Sequence, residues 1–159
     1  MFGNKVGKHD HNITPISLLK DIEQEFGLFH DPCPLFGEEW DGLSSNWGEV
    51  NFIHPPFSNV EPWIIKAIIE KIDEENTSIL LLPAKTNTKY WMEYVFPFSD
   101  EIRWLQKGIK FESDFAEFSQ PYPYELVLVI FDGTKKIDFK NIIQKKKKKS
   151  YSYFQTVNK

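Results

Sequence analysis

Four consecutive residues, His54-Pro55-Pro56-Phe57, follow the apolar run Val50 to Ile53 and combine several chemical capacities in one turn. Two prolines fix the backbone rigidly. A carbonyl in such a turn cannot be claimed by a following strand, so it can accept a hydrogen bond from a ligand amine, while the Phe57 ring can stack on a flat ring. That set suits an aromatic base. Taken alone, it suits equally a stiff strand-to-helix turn with Phe57 in the core. A second group, His30, Asp31 and Cys33, could suggest a metal, but it lacks the paired ligand spacing of a structural zinc site. Asp31 is expected to face a ligand. Cys33 has no base assignable from sequence and is expected to be structural rather than nucleophilic.

The elements that would hold these residues can be read from hydrophobic spacing. Thr14-Pro15 predicts a helix start, with Thr14 as capping hydroxyl and proline in the first turn. Leu18, Leu19, Ile22 and Phe26 continue at helical spacing, and Gly27 is placed to end the helix with a left-handed backbone. Leu28 and Phe29 predict a short strand leading to Asp31. Val50 to Ile53 predicts a second strand, ended by the prolines. Ile64, Ile65, Ile68, Ile69 and Ile72 form a helical stripe between Pro62 and Glu74, with charges expected on the other face. Ser78 to Leu82 is wholly apolar, as a strand buried on both faces would be, and Pro83 stops it. Thr88 to Val95 is expected to be helical, Glu101 to Gln106 a strand, and Leu126 to Phe131 the last strong strand.

Strands alternating with helices predict an α/β fold: a mostly parallel, doubly wound sheet with helices on both faces and an antiparallel strand at its end. Ligands in such sheets sit beyond the carboxyl ends of the strands. Asp31 to Leu35, His54 to Ser58 and Pro83 to Thr86 should therefore converge. Of the five tryptophans, Trp40, Trp47, Trp63 and Trp104 are expected in the core, and only Trp91, near the Pro83 loop, could reach a pocket.

Length and composition bound the rest. The 159 residues, 41% hydrophobic and 16% aromatic, suit one globular domain and exclude a disordered chain. The expected division is a polar tail at 1–12, a domain at 13–139 and a basic tail at 140–159. A single cysteine excludes an intrachain disulfide and suits an intracellular setting, the cytoplasm or a nucleoid. No apolar run approaches the roughly 18 residues of a membrane span, and no targeting segment is expected. The net charge of -4 hides an asymmetry: residues 140–159 carry seven lysines and no acid, which leaves -11 on residues 1–139. The Lys145 to Lys149 run could tether the chain to nucleic acid by counterion release, or could simply be solvated.

The motifs, taken in order, resemble the small phage-type DNA N6-adenine methyltransferases. These are Thr14-Pro15, Phe26-Gly27, Asp31, Asp41-Gly42-Leu43 with Trp47, Pro55-Pro56-Phe57-Ser58 followed by Trp63, Leu81-Leu82-Pro83-Ala84, and Gly108 with Phe111. They run over residues 13 to 131. The resemblance implies a Rossmann-like methyltransferase fold that binds S-adenosylmethionine near Thr14, Pro15, Asp31, Pro32, Cys33, Asp41 and Pro83. Asp41 would either hydrogen-bond the cofactor or cap a turn at Gly42. The target adenine, in DNA before RNA, would be flipped from a duplex, or be unpaired already, and enter a pocket beside Pro55, Pro56 and Phe57. In the family, the first residue of the tetrapeptide is Asn or Asp, which accepts a hydrogen bond from the exocyclic amine, and a proline carbonyl accepts the other. His54 departs from that pattern. A neutral imidazole has one acceptor nitrogen, which becomes a donor on protonation. Either His54 still accepts the amine, or the chain is a pseudoenzyme that binds, scaffolds a protein partner or serves in a particle.

Overall fold

The structure is a computed structural model that describes residues 13–34, 41–106, 109 and 123–143. Its elements in chain order are helix α1 (Ile16–Phe26), strand β1 (Val50–Ile53), helix α2 (Glu61–Asp73), strand β2 (Thr77–Pro83), a π-helical turn (Trp91–Val95) running into the short helix α3 (Phe96–Phe98), and strands β3 (Glu101–Trp104) and β4 (Leu126–Phe131). The tails at 1–12 and 144–159, together with Trp40, Gly108 and Phe111, lie outside the described residues.

The four strands form one mixed sheet in the order β1-β2-β4-β3. β1 pairs with β2 in parallel, with Ile53 opposite Leu80, whereas β4 is antiparallel to both β2 and β3. β1, β2 and β3 thus point one way and β4 alone is reversed. The expected mostly parallel sheet is corrected in this respect: only one of three ladders is parallel, because the reversed strand sits inside the sheet rather than at its end. Burial explains the position. β4 is buried at all six positions, whereas β3, with Glu101 and Arg103, is exposed or half-buried at every one. Each buried Val, Leu or Ile contributes about 1.5–3 kcal/mol, so β4 belongs between neighbours and β3 at the margin. A wholly apolar strand carries no sequence mark of its direction.

Both faces of the sheet are covered. Ile53, Leu80, Leu82, Val127, Val129 and Phe131 point toward α2, where they meet Trp63, Ile64, Ala67 and Ile68. The alternate residues Phe52, Ile79, Leu81, Leu126, Leu128 and Ile130 point toward α1, against Leu18, Leu19, Ile22 and Phe26. This period-two division is what a strand buried on both faces requires.

Three further expectations are refined. Thr14 does not cap α1: Pro15 takes the capping position with no side-chain cap bond, and Gly27 closes the helix at φ 85 by donating to the Glu23 carbonyl. The strand at Leu28-Phe29 reduces to a single bridge, His30 beside Asn51, and Leu28 is 85% exposed. The isoleucine stripe of α2 is wider than the buried face. Ile64 and Ile68 are inside, but Ile69 and Ile72 are exposed, and Glu70 and Lys71 are buried in their stead. Those charges go in because each has a partner: Lys71 Nζ lies 2.6 Å from Asp100, and Glu70 lies 2.6 Å from Lys66 and 2.8 Å from Asn76. Among the described residues no helix is long and apolar enough to cross a membrane.

Candidate active site

The parallel register of β1 and β2 sets the site. Because Ile53 is opposite Leu80, the chain leaves β1 at His54 abreast of Leu81, and Pro83 ends β2 just beyond. On the outer side of β1, the His30 N–H donates to the Val50 carbonyl (2.9 Å) and the His30 carbonyl accepts from Phe52 N–H (3.0 Å). That bridge aims Asp31 toward the same end of the sheet. The described parts of the three segments expected to converge share the carboxyl end of the parallel strands, and Leu35 lies outside the described residues.

At the turn, the Pro56 carbonyl accepts the Asn59 N–H at 2.9 Å. The buried Pro55 carbonyl accepts no hydrogen bond among the described residues. Phe57 is half-buried against both core clusters, and its ring centre lies 5.2 Å from that of His54, tilted by 44°. His54 Nδ1 lies 2.8 Å from the Thr14 hydroxyl, so the residue expected to cap α1 is bonded to the turn instead. Burial lowers the His54 pKa to about 4, because nearby protein cannot solvate an imidazolium. The ring is neutral at physiological pH.

Asp31 and Cys33 form a turn of their own. The Cys33 N–H donates to Asp31 Oδ1 at 2.9 Å. Burial raises the Asp31 pKa against the lowering effect of that bond, although part of the residue reaches solvent. The Cys33 thiol is pushed up to about 12, first by burial and then by the Asp31 charge. At neutral pH it is a thiol and a poor nucleophile.

Pro32 is buried beneath Gly42: a β-carbon on Gly42 would fall 1.8 Å from the Pro32 carbonyl oxygen and 3.0 Å from Trp63. Trp47 Nε1 donates to the Gly42 carbonyl at 2.7 Å and stacks on Trp63 with ring centres 6.3 Å apart. Asp41 caps this turn, accepting from Leu43 N–H at 3.0 Å and from the Ser44 hydroxyl at 2.6 Å, and the Ser44 bond holds its pKa below the ordinary value. Of the two roles open to Asp41, the turn cap is the one the geometry displays. Pro83 is buried, and its carbonyl accepts from Trp91 Nε1 at 3.2 Å and Lys85 N–H at 2.8 Å. Trp91 is fully buried, a strut rather than a ring open to a ligand.

The structure therefore joins Thr14 to His54, ties Asp31, Pro32 and Cys33 to the Asp41-Gly42 turn, and brings Pro83 to the same end without a role in that bonding. Pro15 starts α1 beside them. The Thr14–His54 bond spans 40 residues and leaves no local sequence signal. Among the described residues no three His, Cys, Asp or Glu side chains gather as a metal site.

These features define a mixed α/β protein with a candidate site at the carboxyl end of its parallel strands, built on a Pro-Pro-aromatic turn. The family model for DNA N-6-adenine-methyltransferase (Dam) matches residues 4–155, and the chain belongs to that family. Searches of curated proteins and of solved structures returned no match.

Proposed function

We propose that the protein is an S-adenosylmethionine-dependent adenine methyltransferase acting on DNA, with turnover impaired at His54. The observation that carries this reading is the division of labour within the Pro-Pro turn. One proline carbonyl, that of Pro56, is used by Asn59, whereas that of Pro55 is left to accept a hydrogen from an amine. Phe57 and His54 flank it.

The cofactor would supply the methyl group. Asp31 fits a ligand there: its carboxylate is desolvated and receives one backbone bond among the described residues, a state that a hydroxyl or ammonium of the cofactor would relieve. Thr14, Pro15, Pro32, Cys33 and Pro83 would shape the cofactor's surroundings, with Asp41 acting through the turn it caps. The Pro55 carbonyl accepts one hydrogen of the adenine amine and so directs the nitrogen lone pair toward the methyl group, while Phe57 stacks on the base. The contribution of the protein is orientation and a preorganised dipole. In the family motif a second acceptor takes the other amine hydrogen. His54 stands there with a neutral ring, so its charge is no obstacle, but it has only one acceptor nitrogen and Thr14 is bonded to a ring nitrogen.

The test is methyl transfer to adenine in DNA by wild type and His54→Asn, read by mass spectrometry of digested DNA. The reading expects weak transfer by wild type and a gain on the order of a hundredfold in His54→Asn, as for restoring one preorganised hydrogen-bonding group. A second reading, a silent binding module, draws on the charge of -11 on residues 1–139, which repels phosphate backbones. Absence of transfer from both proteins, each folded and cofactor-bound, would favour that module.

A further inference from the structure

His54 stands where the family motif carries Asn or Asp, and its Nδ1 is 2.8 Å from the Thr14 hydroxyl oxygen. A hydrogen bond between these atoms has two possible polarities. If the ring N–H donated to the hydroxyl, the hydroxyl proton would need an acceptor elsewhere. Thr14 is only 8% exposed, and among the described residues its hydroxyl meets no group besides His54. A buried hydroxyl proton without an acceptor incurs its full desolvation cost. With the hydroxyl as donor, one bond satisfies the hydroxyl proton and the Nδ1 lone pair together. The lone pair is present because burial keeps the ring neutral.

We infer that Thr14 is a positioning residue that donates to His54 Nδ1 and fixes the ring as the Nε2–H tautomer, so that the one acceptor nitrogen of the neutral ring is taken where the family motif offers an acceptor. Thr14 is thereby withdrawn from capping α1, in keeping with the absence of a side-chain cap on that helix. The consequence for substrate rests on the proposed function. An exocyclic amine meets the Pro55 carbonyl as acceptor and finds no second acceptor nitrogen at His54. Thr14 and His54 together would therefore limit the rate of transfer to adenine.

The tautomer is measured without cofactor or DNA, so this inference can fail separately from the methyltransferase reading. The full chain, labelled with 15N-histidine, is examined by long-range proton–nitrogen correlation NMR at neutral pH. The expected wild-type spectrum shows His54 Nδ1 as an unprotonated, hydrogen-bonded nitrogen and Nε2 as protonated. Thr14→Val should move the Nδ1 resonance to that of an unbonded, unprotonated nitrogen, and Thr14→Ser should restore it. A protonated Nδ1 in wild type overturns the inference. So does an Nδ1 resonance that Thr14→Val leaves unmoved. Should Thr14→Val fail to fold, the wild-type and Thr14→Ser spectra decide the polarity between them.

Discussion

The two ends of the sheet are built on opposite plans. At the end where β2 begins and β4 finishes, every buried charge has a partner. Lys71 meets Asp100 at 2.6 Å, the same Asp100 oxygen accepts the Asp132 N–H at 2.7 Å, and the Thr77 hydroxyl accepts the Gly133 N–H at 3.1 Å. Backbones touch there as well: a β-carbon on Gly133 would lie 2.0 Å from the Glu75 carbonyl oxygen, and Glu75 itself bends back at φ 57. At the carboxyl end, burial is the largest cause that displaces His54, Asp31 and Cys33 from their ordinary pKa values, and only at Asp31 do a backbone bond and the His30 charge work against it. One end pairs its buried charges with its own residues. The other keeps titratable groups displaced mainly by burial, the pattern that marks a candidate binding site rather than a brace.

That contrast can be broken or sharpened by mutation. The largest effect is expected at the satisfied end. Asp100→Ala leaves the Lys71 ammonium buried and unpaired, and should lower stability by about 3 kcal/mol in urea titration, since breaking a buried pair costs more than the pair is worth. Gly133→Ala comes next, at roughly 2–3 kcal/mol, because the backbone of Glu75 and Asn76 must shift to admit the methyl group. An effect under about 0.5 kcal/mol from both, the level of an ordinary surface change, would show that this end is no brace.

At the carboxyl end the effect is a pH dependence. The folded pKa of His54, about 4, lies below the unfolded value of 6.5, so the unfolded chain takes up the proton first as pH falls. The contribution of this residue is fully present above pH 6.5 and is lost as pH falls toward 4, by about 3 kcal/mol. Urea midpoints of wild type should fall more steeply over that window than those of His54→Asn; parallel curves would mean that His54 is not desolvated. The smallest effect is at Asp31. Its raised pKa means that the folded protein disfavours the charge, so Asp31→Asn should raise stability at pH 7 by a few tenths of a kcal/mol while weakening cofactor binding. A loss of stability would move Asp31 from the ligand site to the scaffold.

Much of this arrangement is legible in the sequence, for reasons that differ by element. The bounds of β1 and β4 follow from apolar runs closed by proline or polar residues, and the start of α2 from Pro62. The place of β4 is not legible, since LVLVIF is equally apolar in either direction and any neighbour satisfies it. Nor is the exposure of Ile69 and Ile72, because helical spacing cannot anticipate that Asp100 and Asn76 draw Lys71 and Glu70 inward. At the site, the Pro-Pro turn and Asp31 are visible as local patterns. The bond of Thr14 to His54 is not: a hydroxyl before Pro15 reads as a cap, and only the fold brings an imidazole within its reach.

The central claim is that the carboxyl end of the sheet is the cofactor site of a methyltransferase. Calorimetric titration of the full chain with S-adenosylmethionine tests it most directly, with Asp31→Ala as the paired variant. Saturable binding by wild type, lost or much weakened in a folded Asp31→Ala, is the predicted result. No heat of binding at millimolar cofactor, or equal binding by both proteins, would contradict it.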